Sequence, residues 1–270
     1  MTFLSTDEQA RLRHTAHALA DAARAVTLPL FRTRGLSADN KDVTGFDPVT
    51  AADRGAEEAM RAILARERPQ DSILGEEFAR VEGSSGLTWV LDPIDGTRGF
   101  ISGTPTWGVL IALSDENGPI YGIIDQPYIG ERFEGGFGLA TLEGPRGHRD
   151  LCVRDQQGLA AATLFTTFPE VGTDADRAGF EAVRDRVQLV RYGMDCYAYA
   201  LLAQGQIDLV IEAGLQAYDI QAPIAVIQAA GGVVTNWRGE PAHEGGQVIA
   251  AGSADLHAEA LALLAPYAHD

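Results

Sequence analysis

Hydrophobic positions in the first 70 residues recur at the spacing of an α-helix. Leucine, alanine and valine recur every three or four positions over residues 12–26, after an acidic segment typical of a helix start. The spacing predicts a first helix over residues 5–31. A second helix is predicted over residues 50–68, with Thr50 as its cap and Asp53 in its first turn.

Short apolar runs separated by turn residues replace this pattern beyond residue 70. The pair Asn117-Gly118 lies between two such runs and is a strong signal for a β-hairpin. Strands are predicted at 72–75, 89–91, 106–114, 120–125, 131–137 and 139–142. A glycine- and arginine-rich segment, residues 143–149, is predicted to end this β-rich half.

The second half alternates between strand-like and helix-like patterns, which is typical of layered α/β structure. Strands are predicted at 163–167, 188–192, 207–212, 233–237 and 248–251. Helices are predicted at 173–187, 195–204, 219–230 and 253–267. The pattern therefore predicts an α+β protein with two closely packed subdomains, residues 1–145 and 146–270.

Composition narrows the class of protein. The 270 residues are enough for a large core, and no apolar run reaches the roughly 18–20 residues that span a membrane. The start of the chain lacks the basic and apolar regions of a signal peptide, and Cys152 and Cys196 lack metal-site spacing, so we expect a cytoplasmic protein. A formal net charge of −17 disfavours nucleic acid and anionic membranes as partners.

One polar stretch interrupts the apolar pattern. The predicted strand at 89–91 runs directly into Asp92, Pro93 and Asp95, and Gly96 and Thr97 follow. A proline makes the turn rigid, and a glycine allows close approach of a ligand. Carboxylate and carbonyl oxygens are the ligands that Mg²⁺ prefers, together with substrate phosphate. The stretch therefore predicts a Mg²⁺ site for phosphate chemistry, with an ordinary turn as the alternative.

Three blocks of this chain resemble the inositol-monophosphatase family. They are Gly75-Glu-Glu77, Trp89-Val-Leu-Asp-Pro-Ile-Asp-Gly-Thr97, and Ala217-Tyr-Asp219 with the later Ala229-Ala-Gly-Gly232. The resemblance implies a layered α/β/α/β/α sandwich of the type shared with fructose bisphosphatases. It also implies a lithium-sensitive phosphatase that is a homodimer and uses two or three Mg²⁺ ions per active site.

The resemblance also implies a set of metal ligands. Glu76, Asp92 and the carbonyl of Ile94 would hold one Mg²⁺. Asp92, Asp95 and Asp219 would hold a second. From local sequence alone, an aspartate such as Asp219 at the start of a helix is more often an N-cap.

Catalytic roles are implied in the same way. Glu76 and Thr97 would orient the attacking water, and Asp47 would hydrogen-bond the Thr97 hydroxyl. The backbone N–H groups of Gly96 and Thr97 would bind the phosphate, with Asp219 close to the substrate. On local sequence alone, Asp47 is equally typical of a turn or cap.

A later segment carries a resemblance that concerns the substrate. The sequence Gly193-Met-Asp-Cys-Tyr-Ala-Tyr199 is similar to the histidinol-phosphate phosphatases of the family. The carboxylates of Asp195 and Glu212 are candidates to pair with the ammonium or imidazole of L-histidinol phosphate, and Arg191 is a further candidate contact. The alternatives are a helix cap for Asp195 and a surface charge for Glu212. An inositol monophosphatase, or a sugar-phosphate or 3′-phosphoadenosine 5′-phosphate phosphatase, is the alternative function.

Overall fold

Two β-sheets alternate with helices to give five layers, α/β/α/β/α, in the part of the chain that the structure describes. The computed structural model describes residues 4–34, 38–40, 48–156, 158–168 and 170–269. The predicted layered α+β fold is therefore confirmed. No helix among these residues is long and apolar enough to cross a membrane.

The helices occupy three of the five layers. Their bounds are α1 (Thr6–Thr27), α2 (Ala51–Glu67), α3 (Thr97–Ser102), α4 (Asp174–Arg184), α5 (Cys196–Ala203), α6 (Ala217–Ala229) and α7 (Ala254–Leu264). Helices α1 and α2 form one outer layer, α5 and α6 the middle layer, and α4 and α7 the other outer layer. Helix α3 is short and follows the predicted metal-binding turn directly. Single 3-10 turns cover Leu159–Ala161 and Ala265–Tyr267.

The first sheet has seven strands in the order β3-β4-β5-β6-β7-β8-β9. Their bounds are β3 (Ser72–Gly75), β4 (Thr88–Asp95), β5 (Gly108–Asp115), β6 (Gly118–Gln126), β7 (Glu131–Gly136), β8 (Leu139–Gly144) and β9 (Gly147–Asp150). Strand β3 is parallel to β4, and each later pair is antiparallel. A separate antiparallel pair, β1 (Ala38–Asn40) and β2 (Pro48–Thr50), precedes this sheet in the chain.

The second sheet has five strands in the order β11-β10-β12-β14-β13. Their bounds are β10 (Thr163–Thr166), β11 (Leu189–Tyr192), β12 (Leu209–Leu215), β13 (Val233–Asn236) and β14 (Gly246–Ala251). Strand β10 is parallel to β11 and β12, and β14 is antiparallel to β12 and β13. The alternation predicted from sequence in this half is present in the structure.

Alternating side chains of the central strands enter different cores. In β4, Trp89 and Leu91 pack under the outer helices α1 and α2, whereas Val90 faces the middle layer. In β12, Leu209 packs toward α4 and α7, whereas Val210 also faces the middle layer. This period of two is the geometry of a strand that is buried on both faces.

Helix α6 approaches the first sheet closely because two strand positions carry no side chain. A Cβ added to Gly122 in β6 would lie 2.6 Å from the Ala222 carbonyl oxygen. A Cβ added to Gly135 in β7 would lie 2.5 Å from the Val226 Cα. The two glycines thus seat α6 on the sheet and bring its first turn, with Asp219, to the end of β4.

Most differences from the predicted segments are shifts of a few residues at their ends, and three concern the site or the extent of the first sheet. Helix α1 ends at Thr27 rather than at residue 31, because Pro29 has no N–H to continue the helical hydrogen bonds. Strand β4 does not stop at residue 91 but continues irregularly to Asp95. Residues 143–149, predicted to end the β-rich half, contribute to the hairpin of β8 and β9, so the first sheet continues to Asp150.

Candidate active site

The floor of the candidate site is the irregular end of β4. A register shift between β4 and β5 separates Asp92 from Asp95. The N–H of Ile94 donates to Asp92 Oδ1 at 3.0 Å. The N–H of Cys196 donates to Asp95 Oδ2 at 2.6 Å. Gly96 then turns the chain at a φ of 85°, a conformation that favours glycine. These bonds fix the orientation of both carboxylates.

Two further carboxylates reach the floor from other elements. Asp219 lies in the first turn of α6, where its Oδ2 accepts the Gln216 N–H at 2.6 Å. One oxygen from each of Asp92, Asp95 and Asp219 lies within 4.8 Å of the other two. Glu76 directly follows β3, the parallel neighbour of β4, and lines the same cavity. The structure therefore brings together all four of the carboxylates predicted as metal ligands.

The charges at the floor fit a bound cation. Burial raises the pKa of Asp92, and three neighbouring carboxylates raise it further. Burial likewise raises the pKa of Asp95, with added repulsion from Asp195 and Asp219. Such a group of acids disfavours full ionisation unless a positive charge compensates it. Hard carboxylate oxygens are the donor set that Mg²⁺ takes, so the residues present fit this ion.

The Thr97 hydroxyl is held by a residue that was predicted only as part of a helix cap. Thr97 Oγ1 lies 3.1 Å from Asp53 Oδ1 and 3.0 Å from the Ile94 carbonyl oxygen. The other oxygen of Asp53 accepts both the N–H and the hydroxyl of Thr50, at 2.8 and 2.6 Å. Asp47, the predicted partner of Thr97, lies outside the described residues.

A cavity of about 400 Å³ opens above this floor and continues to the second sheet. Its far wall comes from the ends of β10 and β12 and from the start of α5. Glu76, Ile94, Gly96 and Thr97 line it at the floor, and Asp195 and Glu212 line it at the wall. The volume suits a small phosphate ester.

Asp195 occupies a strained position beside the metal-binding turn. Its φ of 47° is unusual for a residue with a side chain. Asp195 precedes α5, but its side chain makes no cap hydrogen bond; Oδ2 instead accepts the Thr106 hydroxyl at 3.1 Å. A Cβ on Gly96 would lie 2.6 Å from Asp195 Cγ, so the glycine leaves room for this carboxylate. Burial raises the pKa of Asp195.

Glu212 is a buried carboxylate with three protein donors. Its Oε1 accepts the N–H of Thr167 at 3.0 Å and the hydroxyl of Thr167 at 2.5 Å. Its Oε2 accepts the Tyr199 hydroxyl at 2.8 Å. Burial raises the pKa of Glu212 to about 7, although these donors favour the ionised form. Glu212 is thus an inner part of the wall and not a surface charge.

The remaining candidate from the sequence lies elsewhere. Arg191 is exposed on β11, at the edge of the second sheet, and is not among the described residues that line the cavity. Met194 packs against the core between the sheets. Tyr197 donates to Glu131 Oε2 at 2.8 Å, away from the floor.

Sequence reasoning missed three residues of the site. Asp53 carried only a cap signal, because its contact with Thr97 joins positions far apart in the chain. Arg98 and Phe168 both line the cavity and stack on each other. The position of Arg98 next to Thr97 was a usable signal, whereas no local pattern marked Phe168.

The whole sequence is similar to that of known phosphatases. The profile of the inositol monophosphatase family matches residues 8–269. The chloroplastic bifunctional phosphatase IMPL2 of Arabidopsis thaliana is 42% identical over 270 residues, which cover 96% of this chain and 76% of that protein. The histidinol-phosphatase of Mycobacterium tuberculosis is 36% identical over 254 residues, covering 92% of this chain and 96% of that protein.

Solved structures show the same similarity in three dimensions. An inositol monophosphatase from Zymomonas mobilis matches with a TM-score of 0.84 and 40% sequence identity. The match covers 97% of this chain and 99% of that chain.

Proposed function

This chain belongs to the inositol monophosphatase family of phosphatases, and we propose that it is a Mg²⁺-dependent enzyme that hydrolyses L-histidinol phosphate to L-histidinol and phosphate. The observation that carries the choice of substrate is the pair of carboxylates, Asp195 and Glu212, on the cavity wall beyond the metal-binding floor.

The floor would hold the metal ions. Asp92, Asp95 and Asp219 offer three carboxylates within reach of one ion, and Glu76 and the Ile94 carbonyl offer further oxygens beside Asp92. When bound, Mg²⁺ supplies positive charge that offsets the phosphate and makes water a better nucleophile. We propose two or three ions per site.

Thr97 and Glu76 would place the attacking water. The Thr97 hydroxyl can donate its hydrogen to Asp53 or to the Ile94 carbonyl, so its lone pairs remain to accept a hydrogen bond from water. The Glu76 carboxylate, which lines the same cavity, is the proposed proton acceptor. Asp53 thereby acts as a positioning residue, in addition to any contribution of Asp47.

The carboxylates of the cavity wall would determine which phosphate ester is hydrolysed, because they would contact the alcohol part of the substrate. L-histidinol phosphate carries an ammonium and an imidazole besides its phosphate, and both groups can donate to carboxylates. Among the described residues, Thr106 gives the one hydrogen bond to the Asp195 carboxylate, which therefore retains acceptor capacity for a substrate N–H. The name of the M. tuberculosis relative, a histidinol-phosphatase at 36% identity, supports the same choice.

Inositol monophosphatase activity is the second candidate. The observation in its favour is the 40% identity and TM-score of 0.84 with the Z. mobilis inositol monophosphatase. An inositol ring presents neutral hydroxyls, which do not call for the charges of Asp195 and Glu212.

The family resemblance supports three further proposals. We propose that the enzyme is lithium-sensitive, that it is a homodimer, and that it acts in the cytoplasm in histidine biosynthesis. Arg191 stays a proposed substrate contact, although it is exposed on an edge strand and is not among the described residues that line the cavity.

Phosphate release from three esters tests the proposed substrate. The purified protein with Mg²⁺ should give its highest kcat/KM with L-histidinol phosphate, compared with inositol 1-phosphate and 3′-phosphoadenosine 5′-phosphate. A higher kcat/KM for inositol 1-phosphate would replace the first candidate with the second. Chelation of the metal should abolish turnover of all three.

A further inference from the structure

Helix α2 carries a second buried acid, Glu57, one turn beyond Asp53. The two residues are four positions apart, so their side chains leave the same face of the helix. The Glu57 carboxylate is fully buried, and Arg61, one further turn along, donates from Nε to Glu57 Oε1 at 2.7 Å. Neither Glu57 nor Arg61 is among the described residues that line the cavity. This ion pair therefore lies behind the site rather than in it.

The Glu57 carboxylate lies against the backbone that carries Glu76. Its Oε2 accepts the N–H of Glu77 at 2.7 Å. A Cβ added to Gly75 would overlap Glu57 Oε1, so the carboxylate fills the space that a side chain at position 75 would take. Glu57 therefore contacts the chain directly before and directly after Glu76.

Two further bonds fix the same short segment, residues 75–78. Arg61 Nη2 donates to the carbonyl oxygen of Phe78 at 3.0 Å, so the ion pair also holds the end of the segment. On the opposite side, the N–H of Glu76 donates to the carbonyl oxygen of Leu91 in β4 at 3.2 Å, directly before Asp92. The backbone of Glu76 is thus held between α2 and the strand that forms the floor.

Repulsion at the floor explains why Glu76 needs this support. The carboxylates of Glu76 and Asp92 repel each other across the cavity floor. Before a cation binds, this repulsion favours movement of Glu76 away from Asp92. A backbone that is held in place limits the movement, so an ion meets its ligands with less rearrangement.

We propose that Glu57, paired with Arg61, is a positioning residue that keeps Glu76 at the floor and thereby sets the affinity of the enzyme for Mg²⁺. This inference rests on the proposed Mg²⁺-dependent function and adds the support of one metal ligand to it. Helix α2 then holds both residues that are proposed to place the attacking water. Asp53 bonds the Thr97 hydroxyl, and Glu57 bonds the backbone next to Glu76.

Mg²⁺ binding, measured by titration calorimetry, tests this role without any substrate. We expect Glu57→Gln to raise the Kd for Mg²⁺ about tenfold, because it breaks the ion pair that supports a metal ligand. The Mg²⁺ concentration for half-maximal turnover should rise by a similar factor, whereas kcat at saturating Mg²⁺ should stay within about threefold of wild type. An unchanged Kd in Glu57→Gln would overturn the proposal.

Asp71→Asn is the matched control for a general loss of stability. Asp71 directly precedes β3, is also buried, and accepts the Arg68 Nε–H at 2.7 Å. This ion pair lies at the opposite end of β3 from Gly75. Asp71→Asn should lower the unfolding temperature, as Glu57→Gln does, but should leave the Kd for Mg²⁺ unchanged. An equal rise of the Kd in both variants would show that Glu57 contributes only to stability.

A double variant tests whether Glu57 acts through Glu76. Glu76→Gln alone should raise the Kd for Mg²⁺, and the addition of Glu57→Gln should then have no further effect. A further rise of the Kd in the double variant would overturn the positioning role.

Gly75→Ala disturbs the same contact while both charges of the ion pair remain, and it serves as the test if Glu57→Gln does not fold. The added methyl group would displace the Glu57 carboxylate. The Kd for Mg²⁺ should rise about threefold, and an unchanged Kd would refute the role of Glu57.

These outcomes are separate from the choice of substrate. A raised Kd for Mg²⁺ in Glu57→Gln of an enzyme that prefers inositol 1-phosphate would support Glu57 and reject L-histidinol phosphate. An unchanged Kd in an enzyme that hydrolyses L-histidinol phosphate would reject the role of Glu57 alone.

Discussion

The floor and the wall of the cavity both carry acidic side chains, but the protein surrounds them differently. At the floor, oxygens of three carboxylates lie within 4.8 Å of one another. At the wall, Glu212 is matched by hydroxyl and amide donors, and Asp195 by the Thr106 hydroxyl. Asp92, Asp95 and Asp219 each accept a backbone N–H as well, but they repel one another and so fit a cation, whereas the wall carboxylates are held by neutral donors. The surroundings of an acid, rather than its presence, therefore separate the proposed metal ligands from the proposed substrate contacts.

Removal of a floor carboxylate gives the largest expected effect. Asp92→Asn should lower kcat/KM about 10³-fold or more for every phosphate ester, because Asp92 serves both proposed metal positions. In chelator, the same variant should unfold at a higher temperature than wild type, because a buried and repelled charge is gone. Thermal unfolding with and without Mg²⁺ checks this. An unfolding temperature of Asp92→Asn below that of wild type, both in chelator, would contradict it.

Loss of the contact to Thr97 should have a smaller effect. Asp53→Asn replaces the carboxylate that bonds both Thr97 and Thr50, and we expect kcat to fall about 10–100-fold. The variant also weakens the cap of α2, which costs about 1 kcal/mol. Thr50→Ala is the matched control, since it loses the cap but keeps Asp53. If Thr50→Ala lowers kcat as much as Asp53→Asn, Asp53 acts only through the helix.

The wall should control substrate choice. Asp195→Asn keeps the hydrogen-bond acceptor for Thr106 and tolerates the positive φ, whereas it removes the charge. We expect kcat/KM for L-histidinol phosphate to fall about tenfold, with p-nitrophenyl phosphate little affected. An equal fall in kcat/KM for both substrates would show that Asp195 does not determine substrate specificity.

The smallest expected effect concerns stability: the raised pKa of Glu212 makes the free energy of unfolding depend on pH. Burial raises this pKa from an ordinary 4.5 to about 7, so the folded state holds the proton more tightly than the unfolded state. The resulting stability is fully present below about pH 4.5 and is lost as the pH rises through about 7. The unfolding free energy of wild type should fall relative to Glu212→Gln over this window, by at most about 3 kcal/mol. Denaturant unfolding of both proteins at pH 4.5 and 7.5 checks this. The same difference in unfolding free energy between wild type and Glu212→Gln at both pH values would contradict a raised pKa of Glu212.

Local patterns were enough to predict most of the fold. The apolar runs of β4 and β5 and the helix starts near residues 5 and 50 are each local to one element, and the structure contains them. The turn at the end of β4 was predictable for the same reason, because proline and glycine act on their own backbone. The hairpin at residues 143–149 was missed, since its glycines also suit the end of the β-rich half.

Contacts between distant positions were not predictable. The bond from Thr97 to Asp53 joins positions 44 residues apart, and the stack of Arg98 on Phe168 joins α3 to the end of β10. The position of Asp219 depends on how closely α6 approaches the first sheet, which Gly122 and Gly135 allow because they have no side chain. No single segment contains this information, since it arises only when the layers pack together.

The most direct test compares two variants on two substrates. The ratio of kcat/KM for L-histidinol phosphate to that for p-nitrophenyl phosphate should be unchanged in Asp53→Asn, a floor variant, because the floor acts on the phosphate alone. The same ratio should fall about tenfold in Asp195→Asn, a wall variant. An altered ratio in Asp53→Asn, or an unaltered ratio in Asp195→Asn, would contradict the division between a catalytic floor and a selective wall.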